Sequence, residues 1–142
     1  MALGRPSEQE GNAQRVVFDE ACWNAMAEDL AAGRYGLAGL WGEVGAVHAA
    51  LVDANAGSLA LASYECLRGR FPALSRVHPP AIRLERAIHD LFGLMPEGAP
   101  DLRPWLDHGR WPYTHPLAAA GSGPPETTYA FLPVEGEGVH QI

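Results

Sequence analysis

Glu85 and His89 stand four residues apart, as do Arg86 and Asp90, and on a helix side chains at that spacing are neighbours. A carboxylate beside an imidazole can act as an acid–base pair or as half of a metal site, so a small metal-dependent hydrolase would have to be built on Glu85, His89 and Asp90. The usual helical zinc motif needs two histidines and a third ligand, and this stretch has a single histidine. A solvated or partner-facing ion-pair lattice is therefore the expectation, each exposed pair being worth only about 0–1 kcal/mol. His48, His78, His108, His115 and His140 are scattered without ligand spacing. Cys22 and Cys66 form no CxxC pattern and read as buried free thiols. No GxSxG elbow, glycine-rich phosphate loop or kinase set offers a nucleophile or a nucleotide site.

A chain of 142 residues, 47% hydrophobic and 19% charged, has room for one globular core. Its net charge of -7 argues against nucleic acid or an anionic lipid surface as the main partner, since both select Lys/Arg clusters. Trp41, Trp105 and Trp111 would stack bases only within a basic groove, so they read as core or interface anchors. With Arg83, Arg86 and Arg103, Trp105 and Trp111 make a candidate docking set, because Trp and Arg dominate protein–protein hot spots. No run approaches the roughly 18 apolar residues of a membrane span, and the expected location is cytoplasmic.

Residues 1–15 are polar and aperiodic, and a flexible tail is expected there. Asp19 can cap a helix whose apolar positions Trp23, Met26, Ala27 and Leu30 recur at helical steps, with Gly33 closing it. Segments 37–41, 46–53 and 58–64, separated by glycine-containing loops, predict a β-meander. Both faces of the middle strand are largely apolar, so a helix is expected over one of them. Phe71-Pro72 reads as extended punctuation, and Pro79-Pro80 leads into a helix over 81–92. Ala81, Leu84, Ile88, Leu91 and Phe92 form its apolar stripe, Glu85, Arg86, His89 and Asp90 its charged side, and Gly93 its end. Beyond it the chain is rich in proline and tryptophan and can be ordered only by laying its rings on the domain or on a partner. Residues 118–142 begin as a Gly/Pro-rich linker.

Three motifs of this second half occur in order: Glu85-Arg86-Ala87-Ile88-His89-Asp90-Leu91-Phe92-Gly93, then Gly98-Ala99-Pro100-Asp101-Leu102-Arg103, then His115-Pro116-Leu117. Together they resemble the signature of the thirty-kilodalton subunit of complex I, the respiratory-chain NADH dehydrogenase, which reads E-R-E-x-x-D-L-F-G, G-H-P-D-L-R and G-H-P-L-R-K-D. Ala87 and Ala99 depart from it, as do Ala118, Ala119 and Ala120 in place of R-K-D. The run Arg103-Pro104-Trp105-Leu106-Asp107-His108-Gly109-Arg110-Trp111-Pro112 is similar to energy-converting nickel-iron hydrogenase and formate hydrogenlyase large subunits. The stretch 135–142 looks like the lead-in to their metal-centre or quinone-site domain, which implies that a large-subunit domain is missing.

The resemblance implies an α+β domain over 16–117, with a small mixed or antiparallel sheet flanked by helices and an extended arm. It also implies a non-catalytic docking role in an NADH-quinone oxidoreductase-type or hydrogenase complex, with no cofactor in this domain. The partners would be the large-subunit domain and the iron–sulfur subunit, and membrane association would come only through the complex. Glu85, Arg86 and Asp90 would hold the signature helix, Phe92 and Gly93 would end it, and Asp101, Arg103, Trp105, Pro116 and Leu117 would fix the arm against partners. The rival classes are the metal-dependent hydrolase and a non-redox adaptor.

Overall fold

A computed structural model describes residues 15–119. The expectations for residues 1–14 and 120–142 lie outside the described residues. The first helix, α1 (Glu20–Ala31), starts where Asp19 Oδ1 accepts from the amide of Cys22 at 2.8 Å, satisfying one orphan donor of the first turn. It buries Trp23, Met26, Ala27 and Leu30, the positions its periodicity marks. Strands β2 (Gly36–Glu43), β3 (Ala46–Asp53) and β4 (Ser58–Glu65) pair antiparallel as the expected meander.

One face of this sheet carries Leu40, Val47, Ala49, Leu51 and Ala62, which share the core with Trp23 of α1 and with Ile88 of the second helix, α2 (Ile82–Phe92). Period-two alternation sends Trp41, His48, Ala50, Leu59 and Ser63 to the other face. Helices thus cover one face of the meander, as the doubly apolar middle strand requires.

Three strands were not foreseen. Arg15–Phe18 is β1, pairing parallel with β4 and making a mixed sheet of order β1-β4-β3-β2, so the expected tail ends one residue early. Phe71-Pro72 is more than punctuation: β5 (Arg70–Pro72) pairs parallel with β6 (Met95–Glu97). These strands are too short for a period to show, and two of them contain proline. The α+β class and mixed sheet agree with the expectation.

Helix α2 begins at Ile82, after a 3-10 turn over Pro79–Ala81, and ends at Gly93 with φ 71°. Ala81 and Ile88 of its expected apolar stripe are in the core, but the charged side departs from the expectation. Glu85, Arg86 and Asp90 are buried, whereas Leu84 is exposed. The charged side is neither solvated nor an ion-pair lattice, because other parts of the same chain pack over it.

Candidate functional site

The buried charges of α2 hold the backbone of two other segments. Glu85, only 1% exposed, accepts through Oε1 from the amides of Leu74 at 2.5 Å and Ser75 at 3.1 Å. It thereby starts the 3-10 turn Leu74–Arg76, which has no cap of its own. Asp90 accepts through Oδ2 from three successive amides, Trp105 at 2.7 Å, Leu106 at 2.6 Å and Asp107 at 3.2 Å. Arg86 supplies the opposite polarity to the same segment, donating to the carbonyls of Arg103 at 2.5 Å and Pro104 at 2.9 Å. Residues 99–119 contain no helix or strand. The unpaired backbone of such a segment needs partners, and α2 provides them.

Asp101 completes the brace. Its carboxylate accepts from Arg86 at 3.3 Å and from the Arg103 side chain at 2.8 and 3.1 Å, with the Arg103 amide at 3.0 Å. These bonds to Arg103, aided by the charge of Arg86, hold its carboxyl well below the usual range. Its contribution is therefore present above the ordinary carboxylate pKa and is lost as pH falls through the lowered one.

Glu85 has the opposite sign. Burial pushes its carboxyl up, against the pull of the Ser75 and Leu74 amides. Glu85 Oε2 and Ser75 Oγ are buried with no hydrogen-bond partner among the described residues. A raised folded-state pKa gives stability that is complete below the unfolded pKa and is lost as pH rises through the folded one. Glu85→Gln keeps an acceptor for the two amides and removes the buried charge. It is expected to melt higher than the parent at pH 7, with the difference closing towards pH 4 in thermal scans. A variant less stable at every pH would show that the carboxylate itself is needed.

The end of α2 is built for close approach. Phe92 and Ile88 lie so near Gly42 of β2 that a Cβ there would come within 2.7 Å of the Phe92 ring. A Cβ on Gly93 would meet His115 at 3.1 Å, so this glycine serves both its left-handed backbone and the packing of the arm. His115 donates through Nδ1 to the Asp90 carbonyl, 3.2 Å away, and meets the edge of His89 at 5.1 Å between ring centroids. The Leu117 amide donates to the Leu91 carbonyl at 2.9 Å, while the Leu117 side chain and Pro116 face outward.

The structure therefore brings Arg86, Asp90, Asp101, Arg103 and Trp105 together and sends Glu85 to another segment. His89 turns to the Leu94 carbonyl and to His115. Glu85, His89 and Asp90 do not converge as a hydrolase would need, and among the described residues no three His, Cys, Asp or Glu side chains are placed to hold a metal ion. Cys66 is buried and its thiol is pushed up to about 11 by that burial, whereas Cys22 is half-buried. A hollow of ≈ 80 Å³ between α1 and the sheet, lined in part by Cys22, Met26, Tyr35 and Leu51, is well below the roughly 300–1,000 Å³ of ordinary ligand pockets.

One polar row escaped the sequence reading. On the sheet face opposite the helices, His48 Nε2 lies 2.7 Å from Glu43 and its Nδ1 2.7 Å from Ser63 Oγ, which accepts from Arg15 at 2.8 Å. Glu43, His48, Ser63 and Arg15 come from β2, β3, β4 and β1, so the row crosses all four strands in spatial order. The serine is 1% exposed and already engaged with the arginine, which makes the row a stitch and not a nucleophile with its base. The strand register would have revealed it, and no local spacing could.

The outer surface of the arm is apolar for an exposed segment. Leu102, Trp105, Leu106, Tyr113 and Leu117 are all at least 39% exposed. Both Arg83 and Arg86 lie over the Trp105 ring, 5.0 and 5.2 Å from its centroid.

Comparison with known proteins bears on this half of the chain. The model of a family described as "Respiratory-chain NADH dehydrogenase, 30 Kd subunit" matches residues 45–122. The solved structure of "Nqo5 of the trypsin-resistant fragment (1-134) in P63 form" is similar, with a TM-score of 0.56 and 26% identity. That match covers 68% of this chain and 87% of the other. No curated protein matches the chain.

Proposed function

The chain belongs to the family of the 30 Kd subunit of respiratory-chain NADH dehydrogenase, and from that premise we propose that it is a non-catalytic docking domain. It joins the large-subunit domain and the iron–sulfur subunit of a complex of that kind and supports electron transfer by positioning them. It binds no cofactor itself. The likeness of its second half to the large subunits of energy-converting hydrogenases and formate hydrogenlyases makes a hydrogenase-type parent complex part of the same proposal.

The observation that carries the reading is the arm. The backbone polar groups of residues 103–107 are taken up by α2, and Leu102, Trp105, Leu106, Tyr113 and Leu117 face outward. A segment braced internally and apolar externally is suited to being covered by another protein. Among the described residues no helix is long and apolar enough to cross a membrane.

In membranes from cells lacking the chain, the large and iron–sulfur subunits are expected to separate on native gels. Adding back the purified full chain should rejoin them. Comigration of the two subunits without it would overturn the docking role.

A further inference from the structure

All 10 cationic side chains counted as Lys or Arg are arginines, and the chain contains no lysine. Six have internal work: Arg86 is buried in the brace, Arg103 and Arg70 reach Asp101 and Glu97, Arg34 pairs with Asp29, and Arg15 and Arg76 donate to Ser63 and Asn24. Arg83 differs. It is exposed in the first turn of α2, and among the described residues no carboxylate pairs with it. Its guanidinium nonetheless has a fixed place over Trp105, which is 40% exposed and carries the cation on its π face. Exposed Leu84 adjoins Arg83 in the sequence, and exposed Leu102 and Leu106 flank Trp105 on the arm.

A guanidinium stacked on an indole has given up part of its hydration while keeping its in-plane donors. Those donors match a carboxylate, which can accept two parallel bonds. Apolar side chains nearby exclude water from such a pair, the setting in which Arg and Trp become hot spots. An arginine that pairs with no Asp or Glu among the described residues while being held against a ring is placed for a carboxylate from elsewhere.

Building on the docking reading, we infer that Arg83 and Trp105 form the anchor of the docking surface, and that its occupant is an Asp- or Glu-bearing, otherwise apolar segment of a partner protein. Arg83 supplies the charge complement and Trp105 the platform. Asp90 and Arg86, behind them, hold the platform in place.

The absence of lysine makes the test specific. Arg83→Lys places the only side-chain amine of the protein at the anchor. The full chain carrying it is bound to the parent complex purified from cells lacking the chain, and the mixture is treated with a water-soluble carbodiimide. This reagent joins an amine to a carboxylate in contact with it, and Arg68→Lys, on an exposed turn, serves as the control.

A covalent adduct to one partner subunit through position 83 is expected from Arg83→Lys, with a partner Asp or Glu at the mapped junction, and none through position 68 from Arg68→Lys. Arg83→Glu should weaken binding by about tenfold or more. If the unmodified chain binds but Arg83→Lys gives no adduct and Arg83→Glu binds as well as the parent, the anchor is wrong while the docking reading stands. An occupant bearing phosphate would likewise give no adduct while Arg83→Glu weakened binding, and that also overturns the carboxylate assignment. Failure of the unmodified chain to bind overturns the docking reading and this inference with it.

Discussion

Asp90→Ala is expected to lift the arm from α2 while leaving the sheet folded. One carboxylate oxygen accepts from the amides of Trp105, Leu106 and Asp107, and the group is 5% exposed. Hydrogen bonds to a charged group contribute about 1.5–3 kcal/mol each, and loss of one member of a buried charged network costs about 3–5 kcal/mol in total. The alanine variant also leaves Arg86 without the anion one turn along the helix. At about 1.4 kcal/mol per factor of ten, the three amides should exchange with solvent roughly a hundred- to a thousandfold faster. Amides of β3 and β4 should keep their protection. Unchanged exchange at Trp105 to Asp107 would mean that the arm is held by its apolar contacts alone. Asp90→Asn, which keeps one acceptor oxygen but not the charge, should fall between.

Trp23→Ala should instead unfold the whole domain. Trp23 has no exposed surface, its Nε1 donates to the Pro72 carbonyl at 2.9 Å, and its ring packs 5.5 Å from that of Tyr64. Truncating such a residue costs about 3–5 kcal/mol, a large share of the roughly 5–15 kcal/mol that stabilises a domain. The abandoned Pro72 carbonyl adds its own desolvation penalty. For a domain of this size each kcal/mol is worth roughly 4–8 °C, so a fall in Tm of more than about 12 °C is expected, with near- and far-UV circular dichroism lost together. A shift of only a few degrees would show that α1 contributes little to the core. The two variants separate a local from a global loss, one affecting the arm and the other the fold.

The contrast between them also explains what the sequence could and could not disclose. The meander was legible because glycine-bearing loops bound three segments of the right length, and α1 because Asp19 and four apolar positions agree on one helix. The stripe on α2 was legible as a pattern but not in its meaning. Glu85, Arg86 and Asp90 bond to amides and carbonyls that lie 10 to 18 residues away. Every residue has such groups, so their use leaves no mark on side-chain composition. The Asp101-Leu102-Arg103 motif stood out through resemblance, yet its geometry turns first inward: Asp101 holds Arg86 and Arg103 before any partner can be considered. Strands β1, β5 and β6, of four, three and three residues, are set by tertiary pairing and not by local preference.

The place of β1 at the sheet edge also sets the order in which the protein can be made. The meander from β2 to β4 consists of neighbours in sequence, so it can close with short loops while the rest of the chain is still emerging from the ribosome. Arg15, by contrast, must wait for Leu61, its partner in the parallel pair, and for Ser63, to which its side chain donates across 48 residues. Until β4 exists, the Glu43–His48–Ser63–Arg15 row lacks its last two members and the β3 edge stays open. Translated before the other described strands, β1 is thus among the last to dock, and nascent chains stalled before Ser63 should present it unpaired, as a segment accessible to chaperones.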